Sequence, residues 1–193
     1  DCRVKAFRQE NGGVTSARLR GIRESTGDWI GFVDGDDIVE PQMYARLLEN
    51  AKAHNTDISH CSYRRDYADG KVEHQADSGE ITVLDHISGL RELLEERRFE
   101  PGLCSKLFRR ELFLGLEEKM DCTIKNNEDM LMNYHLFSQA HTSVYEAVCP
   151  YHYIMREDSA SHRKLNEHRI YDPIRVREII LEEKVPDPLM FVL

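Results

Sequence analysis

The sequence predicts an α/β fold, a mixed sheet flanked by helices. Three observations carry the prediction. Strand, helix, strand, helix, strand and hairpin patterns follow one another through the first half of the chain. The run Trp29-Ile30-Gly31-Phe32-Val33 is apolar without alternation, as expected of a central strand covered on both faces. That run ends directly in Asp34-Gly35-Asp36-Asp37, which sets charge at the carboxyl end of a strand, where open α/β sheets bind ligands.

Each element has a local reason. Cys2 to Phe7 alternates apolar and basic residues, which predicts a short half-buried strand, and Gln9 to Gly13 is a polar, glycine-bearing loop. Thr15 or Ser16 suits the cap of a helix through Ala17, Leu19, Ile22 and Arg23, closed by Gly27. After the Trp29-to-Val33 strand and the acidic turn, Pro41 suits a first helical turn. Met43, Leu47, Leu48 and Ala51 then recur at helical spacing as far as Asn55. Asp57 to Tyr63 reads as a strand, and Asp69-Gly70 as the turn of a hairpin between Tyr63-to-Tyr67 and Lys71-to-Gln75. A helix from about Asp85 places Ile87, Leu90, Leu93 and Leu94 inward.

The second half is more irregular. Pro101-Gly102 interrupts the pattern, and Leu107 to Leu114 predicts a short helix. Asn127 to Ala140 predicts a stronger one, with Met130, Tyr134 and Phe137 on one face. Ser143 to Met155 contains a strand, and Ile174 to Glu183 reads as a helix.

At 193 residues the chain fits one domain with a sizeable core. A formal net charge of −9 argues against a nucleic-acid-binding surface, so no nucleic-acid partner is expected. No uninterrupted apolar stretch approaches a membrane span. The chain begins at Asp1 and finishes on an apolar run, so it reads as a piece of a longer protein and the lack of a targeting segment carries little weight. Five cysteines without a CxxC pair favour a reduced, cytoplasmic compartment.

Three carboxylates within four residues of a buried strand are costly unless a cation or a polar ligand offsets them. Hard oxygen donors suit Mg²⁺ or Mn²⁺, which takes one or two protein carboxylates and completes its shell with water and phosphate. The plainer reading is an ordinary Asp/Gly turn, with Asp37 helping to cap the next helix. A second acidic pair, Glu128-Asp129, opens the Asn127-to-Ala140 helix. The helix dipole favours acidic residues there whether or not they act. Facing a cleft, one of them would serve as a general base.

Further residues carry a family likeness. The segments Asn11-Gly12-Gly13-Val14-Thr15-Ser16-Ala17-Arg18-Leu19-Arg20-Gly21-Ile22 and Gly27-Asp28 through Asp37 resemble the central block of the family-two inverting glycosyltransferases of the GT-A fold. Ser105 to Arg110 resembles the segment before the acceptor site, Asn127-Glu128-Asp129 the Glu-Asp base motif, and Tyr153 to Ser161 the Tyr-x-x-Arg-x-x-Ser stretch.

The resemblance implies a GT-A-like, Rossmann-related mixed sheet with an irregular carboxyl-terminal acceptor-side region. It implies a single domain over 1–193 that lacks the family's first βαβ portion, with residues 1–80 on the donor side and 81–193 on the acceptor side. Asp34 and Asp36 would form an Asp-x-Asp motif that contacts nucleotide ribose and Mn²⁺ or Mg²⁺, with Asp36 the direct ligand. Arg18 would lie near the diphosphate. Asp129, with Glu128 second, would deprotonate an acceptor hydroxyl. The implied reaction transfers sugar from a nucleotide-sugar donor to a glycan or lipid-linked acceptor with inversion, in polysaccharide or glycoconjugate synthesis, in the cytoplasm or peripherally at the inner membrane face. Leu19 stands where the family often has Asn. Arg156, His152, Ser159 and His162 read as structural residues.

Three other readings use the same residues. Haloacid-dehalogenase-like phosphatases also place Asp-x-Asp after an apolar strand, but Ile38 replaces the small hydroxyl residue usual after their second Asp. A calcium loop starting at Asp34 would need Gly where Val39 stands and Glu where Ala45 stands. A catalytically silent glycosyltransferase-like domain would carry the same motifs without binding donor.

Overall fold

In a computed structural model of the chain, the described residues are 2–156, 166–183 and 189. The elements run, in chain order, α1 (Gly13–Glu24), β1 (Trp29–Gly31), β2 (Ile38–Val39), α2 (Met43–His54), β3 (Ile58–Tyr67) and β4 (Val72–His74). They continue with β5 (Ile81–Asp85), α3 (His86–Glu95), β6 (Lys106–Arg109), α4 (Glu128–Gln139), β7 (Thr142–Met155) and α5 (Glu167–Glu182). The seven strands form one mixed sheet in the order β1-β6-β3-β7-β2, with β4 added beside β3 and β5 beside β7.

Its centre is the parallel pair β3 and β7. β6 runs antiparallel to both β3 and β1. Adjacent side chains in β6 go to opposite faces: Phe108 joins the main core, whereas Leu107 joins a second cluster with Met43, Leu47, Cys61 and Tyr151. The main core lies under α3 and α4, where Leu90, Leu93 and Leu94 pack in one cluster with Met130 and Phe137. α2 covers the other face. It ends at Asn55, which takes the left-handed conformation (φ 50°) that stops a helix. Asp57 then ties three strands together, accepting from Arg109 Nε at 3.1 Å and from the His141 amide at 2.9 Å.

Several expectations are met: the helices at α1, α2, α3 and α4, the strand at β3, the hairpin about Asp69-Gly70 and the strand within 143–155. Others need correction. Residues 2–7 form no strand. Val4 and Phe7 are exposed, and no strand among the described residues offers their backbone a ladder. α1 begins at Gly13, so neither Thr15 nor Ser16 caps it, and it ends at Glu24 before Gly27. The Trp29-to-Val33 run is not central. Three residues pair with β6 and Phe32 adds an isolated parallel bridge to Cys104, β1 ends the path through the sheet, and Ile30 is buried while Gly31 and Val33 are exposed.

The helix expected from Leu107 is instead strand β6 followed by a single 3-10 turn at Arg110–Phe113, because pairing with β1 and β3 overrides local spacing. α5 starts at Glu167 rather than Ile174, capped by the Asn166 side chain, and carries Pro173 inside it. Two short strands, β2 and β5, escaped the sequence reading. Among the described residues no helix is long and apolar enough to cross a membrane.

Candidate active site

The acidic turn sits where β1 ends. Its backbone closes through the Asp37 amide on the Asp34 carbonyl at 3.2 Å. Asp37 then anchors the turn to β7. Its carboxylate accepts from Tyr151 Oη at 2.5 Å and from the Ile154 amide at 3.0 Å. Burial pushes the Asp37 carboxyl above its ordinary range in spite of these two bonds. Tyr151 Oη also accepts the Asp34 amide at 3.3 Å. Asp37 thus holds the turn while still lining the cavity below it, and among the described residues Asp34 and Asp36 make no such bond to β7 through their carboxylates.

Below the turn opens a cavity of about 550 Å³, lined among others by Arg18, Asp34, Lys106, Asn127 and Asp129. Arg18 joins two acidic motifs that are far apart in sequence. From α1 its guanidinium reaches Glu128 Oε1 at 3.2 Å and Asp34 Oδ1 at 3.9 Å, with only 14% of the side chain exposed. At the start of α4 the two carboxylates part company. Glu128 is committed to Arg18, while Asp129 lines the cavity. Burial raises the Asp129 carboxyl; the charge of Arg18, the Met130 amide and the charge of Lys106 pull the other way. Burial also raises Glu128, aided by the Asp129 charge. Asp36 is exposed, lies outside the cavity lining, and its carbonyl accepts from Arg156 at 3.5 Å.

The sequence reading missed Lys106. Its ammonium is buried in the cavity wall, donating to the Glu100 carbonyl at 2.9 Å and to the Gly102 carbonyl. Asn133 holds the adjoining Pro101 carbonyl. Desolvation lowers Lys106 to about 8, partly offset by nearby groups that include Asp129. No local pattern marks this lysine, because its burial follows from β6 pairing on both sides.

Backbone strain also gathers here. Of the four non-glycine residues with left-handed backbone among the described residues, Glu96 (φ 51°), Ser105 (φ 61°) and Asn127 (φ 66°) line the cavity. Such residues cost on the order of 1 kcal/mol each and cluster at functional sites. His152 lies between Glu40, at 3.1 Å, and Asp66, at 3.6 Å, and does not line the cavity. Ser159, Ser161 and His162 lie outside the described residues.

Asp34 and Asp36 are hard oxygen ligands, and two is within the number of protein carboxylates Mg²⁺ usually takes. The residues therefore fit a divalent cation of the Mg²⁺ or Mn²⁺ class.

A mixed sheet whose strand end carries this turn above a cavity shared by Arg18 and Asp129 has the architecture of a GT-A glycosyltransferase domain. The crystal structure of S. aureus TarS 1-349 in complex with UDP-GlcNAc matches it with a TM-score of 0.70 at 17% identity, over 96% of this chain and 52% of that one. Residues 1–115 match the family described as Glycosyl transferase family 2, and the chain belongs to that family. It is 34% identical over 142 residues to the uncharacterized glycosyltransferase EpsJ of Bacillus subtilis, covering 72% of this chain and 41% of EpsJ. It is 26% identical over 193 residues to the uncharacterized glycosyltransferase YibD of Escherichia coli, covering 94% of this chain and 54% of YibD. The chain thus spans about half the length of the curated relatives it matches. Family membership sets aside the phosphatase and calcium-loop readings.

Proposed function

We propose that the whole protein transfers a sugar from a nucleotide-sugar donor to an acceptor hydroxyl on a glycan or lipid-linked substrate, with inversion, in polysaccharide or glycoconjugate assembly. One observation carries the reading: Arg18 sits between Asp34 and Glu128 on the wall that Asp129 shares. A guanidinium suited to phosphate oxygens, Asp34 of the acidic turn and Asp129 then face one cavity, and Asp36 stands exposed on the same turn. That TarS was crystallised with UDP-GlcNAc supports a nucleotide sugar as donor.

In this reading Arg18 binds diphosphate oxygens and orients the donor's anomeric carbon toward the Asp129 side. Asp129 takes the proton of the acceptor hydroxyl as its oxygen attacks that carbon. The bond to the diphosphate oxygen breaks on the opposite side, so the configuration inverts. A divalent ion held by Asp34 and Asp36 would supply charge neutralisation for the departing nucleoside diphosphate. Burial suits Asp129 to this task, since a raised carboxyl is a stronger base.

The test is a thermal-shift panel of nucleotide sugars on the full-length protein, with and without Mn²⁺. A stabilising nucleotide sugar that acts only with Mn²⁺, and that Asp36→Ala no longer binds, supports the assignment. Equal donor affinity in wild type and Asp36→Ala rejects the metal role. Binding of no nucleotide sugar at all selects the silent-domain reading.

A further inference from the structure

Away from the acidic turn, a second group of side chains brings metal-binding atoms together. His74 closes β4, Asp77 follows in the connection to β5, and Cys149 lies in β7. That connection is tied down along its length. The Gln75 amide donates to the Tyr63 carbonyl at 3.1 Å, the Ala76 amide to Ser62 Oγ at 3.1 Å, and the Gly79 amide to the Ala147 carbonyl at 2.8 Å. The path carries the loop across the sheet face to Cys149, whose Sγ donates to the Ala76 carbonyl at 3.1 Å. His74 Nδ1 lies 2.8 Å from Asp77 Oδ2. One ligand atom from each of the three residues lies within 4.8 Å of the other two, and among the described residues this is the one such trio.

We propose that His74, Asp77 and Cys149 form a binding site for a zinc-class transition metal, with three protein ligands and an open fourth position.

The donor chemistry selects the ion. A thiolate with an imidazole and a single carboxylate suits a borderline-soft cation such as Zn²⁺, whereas Mg²⁺ and Mn²⁺ prefer oxygen alone. Tetrahedral ligands about 2.0–2.3 Å from zinc lie roughly 3.3–3.8 Å from one another. The three atoms therefore need movements of only about 1 Å or less, a parting of the His74 and Asp77 side chains and an approach to Cys149, and both of these side chains are exposed. Cys149, 7% exposed, is the fixed member. Its thiol proton leaves to solvent as the sulfur–metal bond forms. One carboxylate and one thiolate then balance the dication, and water can occupy the position open to solvent. Gln75, between the ligands in sequence, lines the active-site cavity. An ion here would staple that wall to β7.

Co²⁺ is the probe, because a thiolate ligand gives it a charge-transfer band and tetrahedral geometry gives it intense visible absorption. The full-length protein, reduced and stripped of metal, should develop both signals and saturate at one equivalent. His74→Ala and Asp77→Ala should each weaken binding by about tenfold or more, since even outer-shell partners are worth that much. Cys149→Ser should lose the charge-transfer band. Should Cys149→Ser fail to fold, His74→Ala still decides the matter, because that ring is exposed and its removal leaves the core intact. A wild-type protein without the thiolate band at one equivalent overturns the proposal. So does a band unchanged in His74→Ala, which would assign it to other cysteines such as the exposed Cys2 or Cys122. Donor binding with Mg²⁺ should be the same in wild type and His74→Ala, so this result is separate from that of the nucleotide-sugar panel.

Discussion

Replacing Lys106 by Met measures what the cavity wall spends on a buried charge. Lys106 is 2% exposed, and burial lowers it from 10.5 to about 8. The unfolded chain keeps this proton up to about pH 10.5, whereas the folded chain gives it up near 8. Between these values the unfolded state binds more protons, so the Lys106 contribution to stability rises with pH. At about 1.4 kcal/mol per pH unit, the whole interval amounts to roughly 3 kcal/mol. The wild-type curve alone will not show this. Cys104, raised by burial to about 11, and the buried Cys61 thiol, also raised, titrate with the opposite sign over part of the range.

The difference between wild type and Lys106→Met removes what those groups contribute independently of Lys106 and leaves only their coupling to it. Met also leaves the Glu100 and Gly102 carbonyls without their donor, an offset of about 1–3 kcal/mol each that is already present at pH 7. Urea unfolding at pH 7, 8, 9 and 10 should therefore find the variant losing ground to wild type by about 1 kcal/mol per unit above pH 8. A gap that stays constant from pH 7 to 10 would refute the claim that a strained ammonium lies in this wall.

Two further substitutions probe neighbouring parts of the site. Burial raises Asp129, so its stability contribution is fully present below pH 3.8 and is lost as pH rises through the folded value; at pH 7 the ionised carboxylate destabilises the fold. Asp129→Asn should therefore melt higher than wild type at pH 7 while the full-length protein binds donor normally and transfers no sugar; a lower melting temperature contradicts the sign. A Cβ on Gly31 would overlap the Tyr44 ring, whose hydroxyl donates to the Phe32 carbonyl at 2.9 Å, two residues before Asp34 opens the acidic turn. Gly31→Ala should cost about 1–3 kcal/mol in chemical denaturation, and a double-mutant cycle with Tyr44→Leu should recover part of it.

What could be read from sequence was local. Three acids directly after an apolar run, and two more at a helix start, stand out because charge beside buried chain demands compensation within a few residues. Their partners did not stand out. Arg18 reaches Glu128 only after α1 and α4 have docked, and Lys106 is buried only because β6 pairs on both sides. The segment Lys106 to Arg109 carries no period that separates strand from helix, so the local reading chose wrongly. Trp29 to Val33 misled for the converse reason. Its composition is that of a central strand, but β6 is the one strand that pairs with it among the described residues, with a single further bridge from Phe32 to Cys104, so it ends the path through the sheet. Ile81 to Leu84 had the β-branched residues of a strand and was absorbed into the approach to the next helix.

The distribution of charge at the cavity explains why so much of the site is held by the remainder of the chain. Asp129 and Glu128 are both pushed toward protonation by burial, and nearby cationic charge pulls each the other way. Arg18 is positioned to serve both, and Lys106 adds a second positive charge on the Asp129 side. A lysine so buried is itself destabilised, and its ammonium is steadied by carbonyls of the Glu100-to-Gly102 loop. That loop is in turn gripped by Asn133 from α4 and by Arg65, at 2.9 Å from Glu100, from β3. The left-handed residues Ser105 and Asn127 stand directly before Lys106 and Glu128, where they set the direction in which each of these segments leaves the loop. Strain, buried charge and loop anchoring thus converge on one carboxylate, and in the proposed role as a base a group held in this way would need little reorganisation when a proton reaches it.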